Sequence, residues 1–305
     1  MFFLKSSLFH SIFTSIHFIK KPIIIIDVGS SGERSPELSD FYDYAKLISF
    51  DGDDREFDHS SGSNFNSIVT PTGENTYFYL TSSPFCSSTL EPFTDHLIPW
   101  LFSDKFRVIK LLSLPSISFE DVIRDLNLTY VDWIKLDSQG TDLRLYKSLP
   151  TFISRSNLVV QFEPGFIDAY KNEDKAHHIL SYMDDKPFWL CDLSIKGSLR
   201  MSREYFSSLP YYITKFITGF HRTSPCWCEM TYVRKDFDRM GHRDLLLLSL
   251  INVSNKQYHE ALSIAKFGAS KFDCNYFHQV IKFCDFKIRF NVMFFFKKII
   301  NSVFG

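Results

Sequence analysis

Ile23-Ile24-Ile25-Ile26-Asp27-Val28-Gly29-Ser30-Ser31-Gly32 is an apolar run that breaks at an aspartate and closes on glycine. Val131-Asp132-Trp133-Ile134-Lys135-Leu136-Asp137-Ser138-Gln139-Gly140 repeats that design further along the chain. A strand buried inside a parallel sheet is covered on both faces, so it reads as continuous apolar residues. The aspartate that ends it then stands at the C-terminal edge of the sheet, where open α/β sheets bind ligands. Two such segments predict a cofactor and a substrate meeting at that edge.

Working outward, strand and helix alternate. Strands are expected over 23–27, 47–51, 77–81, 106–111, 133–137, 158–162, 188–193 and 229–234, the last as an antiparallel edge. A helix is expected over 35–45, with Pro36 in its first turn. Another follows Ser118, where Asp121 completes a capping-box-like pattern. Two more are expected over 142–148 and 173–183. Past Gly241 the pattern is helical, over 244–251, 256–267 and 275–283. This alternation specifies an α/β fold, a doubly wound, mostly parallel sheet with N- and C-terminal helical appendages. The expected parts are an amphipathic helix over 1–22, the α/β domain over 23–235 and a helical tail over 236–305.

Composition narrows the class. The chain has 305 residues, 45% hydrophobic and 23% charged, in the range of a globular protein. Its formal net charge of -1 gives no electrostatic case for a nucleic-acid partner. Cys226-Trp227-Cys228 lacks a second pair and zinc spacing, so the six cysteines read as reduced thiols of a cytoplasmic protein, with no metal site. In residues 1–22, Leu4, Leu8, Ile12, Ile16 and Ile19 fall at helical spacing, widened by Phe9 and Phe13. The stretch is short and charged for a membrane span and lacks a small-residue cleavage site. The end of the chain sets Phe294-Phe295-Phe296 beside Lys297-Lys298. Both terminal helices are expected to pack on their own domain; the alternative is peripheral contact with a membrane surface.

The first glycine loop reads Asp-x-Gly-x-x-Gly. It is not the phosphate-cradling Gly-x-Gly-x-x-Gly, and it lacks the Walker lysine. Gly29 permits a tight turn and Gly32 a close backbone approach. A ligand with an amino group and a carboxylate fits better than a pyrophosphate. Asp27 would hold the ammonium, directly or through water, and the N–H groups of the loop around Gly29, Ser30 and Gly32 the carboxylate. S-adenosylmethionine carries such a moiety; a plain Asp-Gly turn is the alternative. Asp51 ends the next strand, about 20 residues on, where a nucleoside-binding sheet places a carboxylate for ribose hydroxyls. The alternative there is a solvated acidic turn formed with Asp53 and Asp54.

Asp27-Val28-Gly29-Ser30-Ser31-Gly32, Ser49-Phe50-Asp51, Ser87-Ser88-Thr89-Leu90-Glu91-Pro92 and Ile134-Lys135-Leu136-Asp137-Ser138-Gln139-Gly140-Thr141-Asp142 together resemble FkbM-family methyltransferases. The resemblance runs from Ile23 to Arg234. It implies a Rossmann-like, seven-stranded sheet, S-adenosylmethionine as cofactor, and O-methylation of a saccharide or other small-molecule or glycan hydroxyl. The chain departs from the family in carrying Asp51 where glutamate is common. The helix after that strand is short, squeezed into 54–63, which leaves Thr70 and Thr72 as the adenine-contacting candidates.

Methyl transfer to a hydroxyl needs the acceptor oxygen held near the methyl group and a base to take the proton. Asp137, at the end of a central strand, is the catalytic candidate. Gln139 is placed to hydrogen-bond the acceptor, Lys135 shares the Asp137 face, and Glu163 on the next strand end is a second candidate base. Ser87, Ser88 and Thr89 are expected on the acceptor pocket, with a plain polar loop as the equal alternative. The structural alternative makes Asp137 a cap of the helix starting near Asp142. Two other functions stay open: a nucleotide-binding oxidoreductase, and a catalytically silent interaction module on the same fold.

Overall fold

The structure, a computed structural model, describes residues 5–30, 38–55 and 64–304, with the backbone alone over 291–304. In chain order the strands are β1 (Ile23–Val28), β2 (Ala45–Phe50), β3 (Asn64–Phe65), β4 (Ile68–Val69), β5 (Thr76–Thr81), β6 (Val108–Leu114), β7 (Ser116–Ile117), β8 (Trp133–Leu136), β9 (Val159–Phe162), β10 (Phe188–Ser198) and β11 (Ser224–Arg234). The helices are α1 (Lys5–Phe13), α2 (Ile16–Lys20), α3 (Thr94–Leu97), α4 (Phe119–Asp125), α5 (Asp142–Lys147), α6 (Thr151–Ser154), α7 (Ala176–Asp184), α8 (Arg203–Ser208), α9 (Tyr211–Phe220), α10 (His242–Ser254), α11 (Tyr258–Lys271) and α12 (Asn275–Phe304). The chain divides into two compact units. One is Ile24–Arg34 with Lys46–Arg234; the other joins Met1–Ile23, Ser35–Ala45 and Lys235–Gly305.

The first unit is built on a seven-stranded sheet of order β10-β11-β9-β8-β1-β2-β3. β8 runs parallel to both β1 and β9, and β2 parallel to β3. The apolar reading of β1 holds at every position: all six residues are buried. The core around the sheet takes Ile26, Ile48, Ile134 and Val160 from the strands, and Phe119, Leu145, Ile153 and Ile179 from α4, α5, α6 and α7. Burying each such side chain contributes roughly 1.5–3 kcal/mol. The strand order reverses direction between β1 and β8, and such a switch point opens a crevice at the carboxyl ends of the strands.

Several expectations need correction. The strands expected over 77–81 and 106–111 lie outside the central sheet and form a separate antiparallel ribbon, β5 with β6. Val108, Ile109 and Leu111 are exposed on that ribbon, so these apolar residues are not a strand buried on both faces. β3 enters the central sheet instead. β11 is antiparallel as expected, but it lies inside the sheet between β9 and β10, and β10 is the edge. Its burial shows why, since four consecutive residues from Met230 to Val233 are buried. The helix after Ser118 forms as read, with Ser118 Oγ accepting from Asp121 N–H at 3.1 Å. Over 38–44 the chain makes turns, not the expected helix, closed by Phe41 N–H to the Leu38 carbonyl and Tyr44 N–H to the Phe41 carbonyl. Ser, Asp, Phe and Tyr fill that stretch, and all are weak helix formers. Residues 35–37 and most of the helix expected over 54–63 lie outside the described residues.

The second unit is helical. The single helix expected over 1–22 is two, broken at Thr14 and Ser15, with the Phe13 and Phe18 rings edge-to-face at 5.1 Å across the break. The break ends the expected apolar stripe: Leu8 and Ile12 are buried, whereas Ile16 and Ile19 are exposed. Phe9 and Phe13 pack on Phe41 at 5.7 and 5.8 Å. α10 is buried along most of its length, and Gly268 on α11 lies against the Phe277 ring of α12, where a Cβ would come within 2.2 Å. The Phe294-Phe295-Phe296 side chains lie outside the described residues. Among the described residues no helix is long and apolar enough to cross a membrane.

Gly29 is the tightest point of the sheet unit. Its φ is +85°, and a Cβ there would stand 1.9 Å from the Asp137 carbonyl oxygen. Gly29→Ala is expected to lower unfolding stability by about 2–4 kcal/mol, from the left-handed backbone and the collision together. Gly219→Ala on α9 has open space around it and is expected to leave stability unchanged or raise it by up to about 1 kcal/mol. Chemical denaturation of both variants checks this; equal midpoints would contradict it.

Candidate functional site

The two decisive stretches meet side by side. Asp137 N–H donates to the Val28 carbonyl at 2.9 Å, and the Gly29 turn lies against the Asp137 backbone. Asp27 is buried, 2% exposed, and its Oδ1 takes the Lys135 Nζ ion pair at 3.2 Å. Burial opposes the charge on Lys135, yet Asp27, Asp137 and Glu163 together hold its pKa well above the ordinary lysine value. Gly29 and Ser30 N–H groups both donate to the Phe50 carbonyl, at 2.8 and 3.3 Å, so they tie the loop to β2. Gly32 lies outside the described residues.

Asp137 does not cap the following helix. That loop is held by Asp142, whose Oδ1 accepts from Ser138 N–H at 2.9 Å and Ser138 Oγ at 2.6 Å. Its Oδ2 accepts from Glu163 N–H at 2.8 Å, which fastens the end of β9 to the same carboxylate. Asp137 is left to Gln139, whose Nε2 donates to Asp137 Oδ1 at 2.6 Å. Gln139 has a left-handed φ of 55°, rare for a residue with a side chain. Three contacts hold it there: the Asp137 bond, Ser88 Oγ on its carbonyl at 2.7 Å, and Tyr170 OH on Oε1 at 3.0 Å.

Asp137 and Glu163 form a buried carboxyl pair. Burial first, then the Asp137 charge, raises Glu163 far above the ordinary carboxylate range. Burial also raises Asp137, but Lys135 and hydrogen bonds from Glu163 and Gln139 favour its anion. Of the pair, Glu163 holds its proton the more tightly, and its hydrogen bond to Asp137 favours the Asp137 anion.

Two cavities flank this pair. The first, about 570 Å³ including its open mouth, is walled by Gly29, Asp51, Ile68, Phe78, Phe85 and Asp137. Asp51 gives one carboxylate oxygen to Asp53 N–H at 2.7 Å. Burial pushes its carboxyl up to about 7, helped by the charges of Asp53, Asp137 and Asp27. Asp53 is spoken for: Arg55 grips it at 2.9 and 2.6 Å and Ser87 Oγ donates at 2.9 Å. The second cavity, about 910 Å³, is mostly apolar, with Phe85, Phe102, Tyr170 and Trp227 around Asp137, Gln139 and Glu163. Asp137, Gln139 and Phe85 belong to both.

Comparison with protein-family models, curated proteins and solved structures finds no match.

The structure thus brings Gly29, Asp51, Asp137, Gln139 and Glu163 to one edge, while Asp27 lies beneath it. Thr70 lies away from both cavities, accepting from Gly73 N–H at 3.0 Å and bonding Ser116 Oγ at 2.9 Å, and Thr72 is an exposed turn residue. The apolar Ile68 and Phe78 occupy the wall where those threonines were expected. Ser87 and Thr89 line the first cavity, not the acceptor side, and Ser88 supports Gln139. Phe85, Tyr170 and Trp227 carried no sequence signal, since only the tertiary fold brings these separate segments, Trp227 from the internal strand β11, to one cavity.

Asp51, Asp142 and Glu173 all have carboxyls raised to about 7, in each case chiefly by burial. An acid whose folded pKa exceeds its unfolded value binds its proton more tightly when folded. Its contribution to stability is complete below the unfolded value of about 4 and is lost as pH rises through about 7. Thermal stability is therefore expected to fall between about pH 5 and pH 8, and Asp51→Asn to flatten that fall and raise stability at the upper end. A melting temperature for Asp51→Asn below wild type at pH 8 would refute the assignment.

Proposed function

We propose that this protein is an S-adenosylmethionine-dependent O-methyltransferase of the FkbM type, acting on a hydroxyl of a saccharide or glycan-linked acceptor. One observation carries the reading: two cavities of different character share Asp137, Gln139 and Phe85 as lining residues. A transfer enzyme needs that arrangement, a donor on one side and an acceptor on the other, with a base between them.

The residues present suit the cofactor. The first cavity offers an unpaired carboxylate oxygen on Asp51 for ribose hydroxyls and an apolar slot at Ile68, Val69 and Phe78 for a base. Its floor at Gly29 admits no side chain, because the Asp137 backbone occupies the space a Cβ would need. S-adenosylmethionine, when bound, supplies an electrophilic methyl group. Asp27 contributes from below, by fixing the Lys135 charge under the site. Asp137 takes the proton of an acceptor hydroxyl in the second cavity as its oxygen gains the methyl group. A raised pKa makes Asp137 a stronger base than an ordinary carboxylate. Glu163 keeps Asp137 anionic by donating its own proton, and Gln139 fixes the orientation of the carboxylate.

Calorimetry with S-adenosylhomocysteine tests the donor side. Wild-type protein is expected to bind, and Asp51→Ala to lose about 1.5–3 kcal/mol for each charge-assisted ribose hydrogen bond removed. Unchanged affinity in Asp51→Ala would sink the ribose assignment.

Turnover tests the chemistry. In a methyl-transfer screen against nucleotide sugars and glycans, Asp137→Asn is expected to cost roughly a hundredfold or more while cofactor affinity persists. Because Glu163 serves as a protonated acid, Glu163→Gln preserves its donor and should retain most activity, whereas Glu163→Ala should not. Equal losses in Glu163→Gln and Glu163→Ala would reject the Glu163 proton donation.

A further inference from the structure

Between β10 and β11 the chain carries α8 and α9, and no residue of either helix is buried. On α9, Tyr212, Phe216 and Phe220 fall at i, i+4 and i+8, a single stripe along the helix. They are 72%, 57% and 78% exposed, and the Phe216 and Phe220 rings stack at 4.8 Å. Tyr211, beside them, is 77% exposed. A contiguous apolar stripe left in water marks an interaction surface.

The charge around the stripe is one-sided. Residues 199–223 hold Arg200, Arg203, Lys215 and Arg222 against Glu204 alone, in a chain whose net charge is -1. Arg203 pairs with Asp104 at 2.8 Å, whereas Lys215 and Arg222 have no carboxylate partner among the described residues. Tyrosine and phenylalanine flanked by Lys and Arg settle at the headgroup level of a bilayer, ring inward and cation toward lipid phosphate. The base of the insertion is also tied to the wall of the apolar cavity. Leu101 N–H donates to the Leu199 carbonyl at 3.1 Å, and Phe102 and Lys105, neighbours of Asp104, line that cavity.

We propose that α9 docks this protein on an anionic membrane surface, with Tyr212, Phe216 and Phe220 entering the headgroup layer and Lys215 and Arg222 meeting lipid phosphates. The docking does not rest on the methyl-transfer reading. Co-sedimentation of the full chain with vesicles tests it, using phosphatidylcholine alone and phosphatidylcholine mixed with phosphatidylglycerol. Binding is expected to the mixed vesicles, and to weaken with salt. The triple variant Tyr212→Ser, Phe216→Ser, Phe220→Ser should lose at least about tenfold in partitioning, with an unchanged melting temperature because the stripe is exposed. Lys215→Gln with Arg222→Gln, which leaves the stripe intact, should lose roughly tenfold or more. Three results would overturn the proposal: no binding by wild type, wild-type binding by the triple variant, or a dimer that the triple variant splits while neither protein binds vesicles.

Discussion

The contact between Gly29 and the Asp137 backbone is the constraint on which the site depends. At 1.9 Å from the carbonyl oxygen, even a methyl group has no room, so β1 and β8 can approach at their carboxyl ends only because position 29 lacks a side chain. That approach sets Asp27 and Asp137 on adjacent strands with Lys135 on the same face as both. A cation shared between two buried carboxylates offsets part of the desolvation cost that either would suffer alone. The glycine is thus a backbone requirement with an electrostatic consequence. Widening the gap would separate the charges and admit water between them.

The rest of the site is arranged so that the Asp137 carboxylate is spared the capping of the following helix. Asp142 binds the Ser138 loop and the Glu163 backbone, which are the tasks a strand-end aspartate would otherwise perform. Gln139 is held in a left-handed conformation by three hydrogen bonds, one of them to Asp137. Backbone strain of about 1–3 kcal/mol persists only where its surroundings over-determine it, and it clusters at functional sites. The strained residue here lines both cavities.

Much of the sheet was legible because its central strands are short apolar runs that only a buried parallel strand accommodates. β1, β8 and β9 are of this kind. The ribbon of β5 and β6 was not legible as separate, since Val108, Ile109 and Leu111 are as apolar as core residues and period alone does not say which face they lose to solvent. The turn over 38–44 failed for a related reason: the proline before it promised a helix that the following Ser, Asp and aromatic residues do not sustain. Within the site, the strand-end residues Asp51, Asp137 and Glu163 could be read from their position. Phe85, Tyr170 and Trp227 could not, because an isolated aromatic residue carries no period that tells which cavity it will line. Sequence position put Asp51 ahead of Asp53 but gave no physical reason for it. Arg55 and Ser87 decide between them by occupying Asp53.

The same comparison explains why this edge costs stability. Asp51, Asp142 and Glu173 have carboxyls raised chiefly by burial, a rise that the Lys175 charge partly offsets at Glu173. The paired acids elsewhere behave oppositely: Arg55 and Ser87 hold Asp53 below the ordinary carboxylate range in spite of burial. A fold selected for stability alone would pair or remove the raised acids. Asp142 has a structural reason to remain, since three hydrogen bonds converge on it. Among the described residues Asp51 has one such bond, from Asp53 N–H. A carboxyl kept at an energetic cost and half-buried in a cleft is the group that, on the proposed reading, would accept hydrogen bonds from ribose hydroxyls.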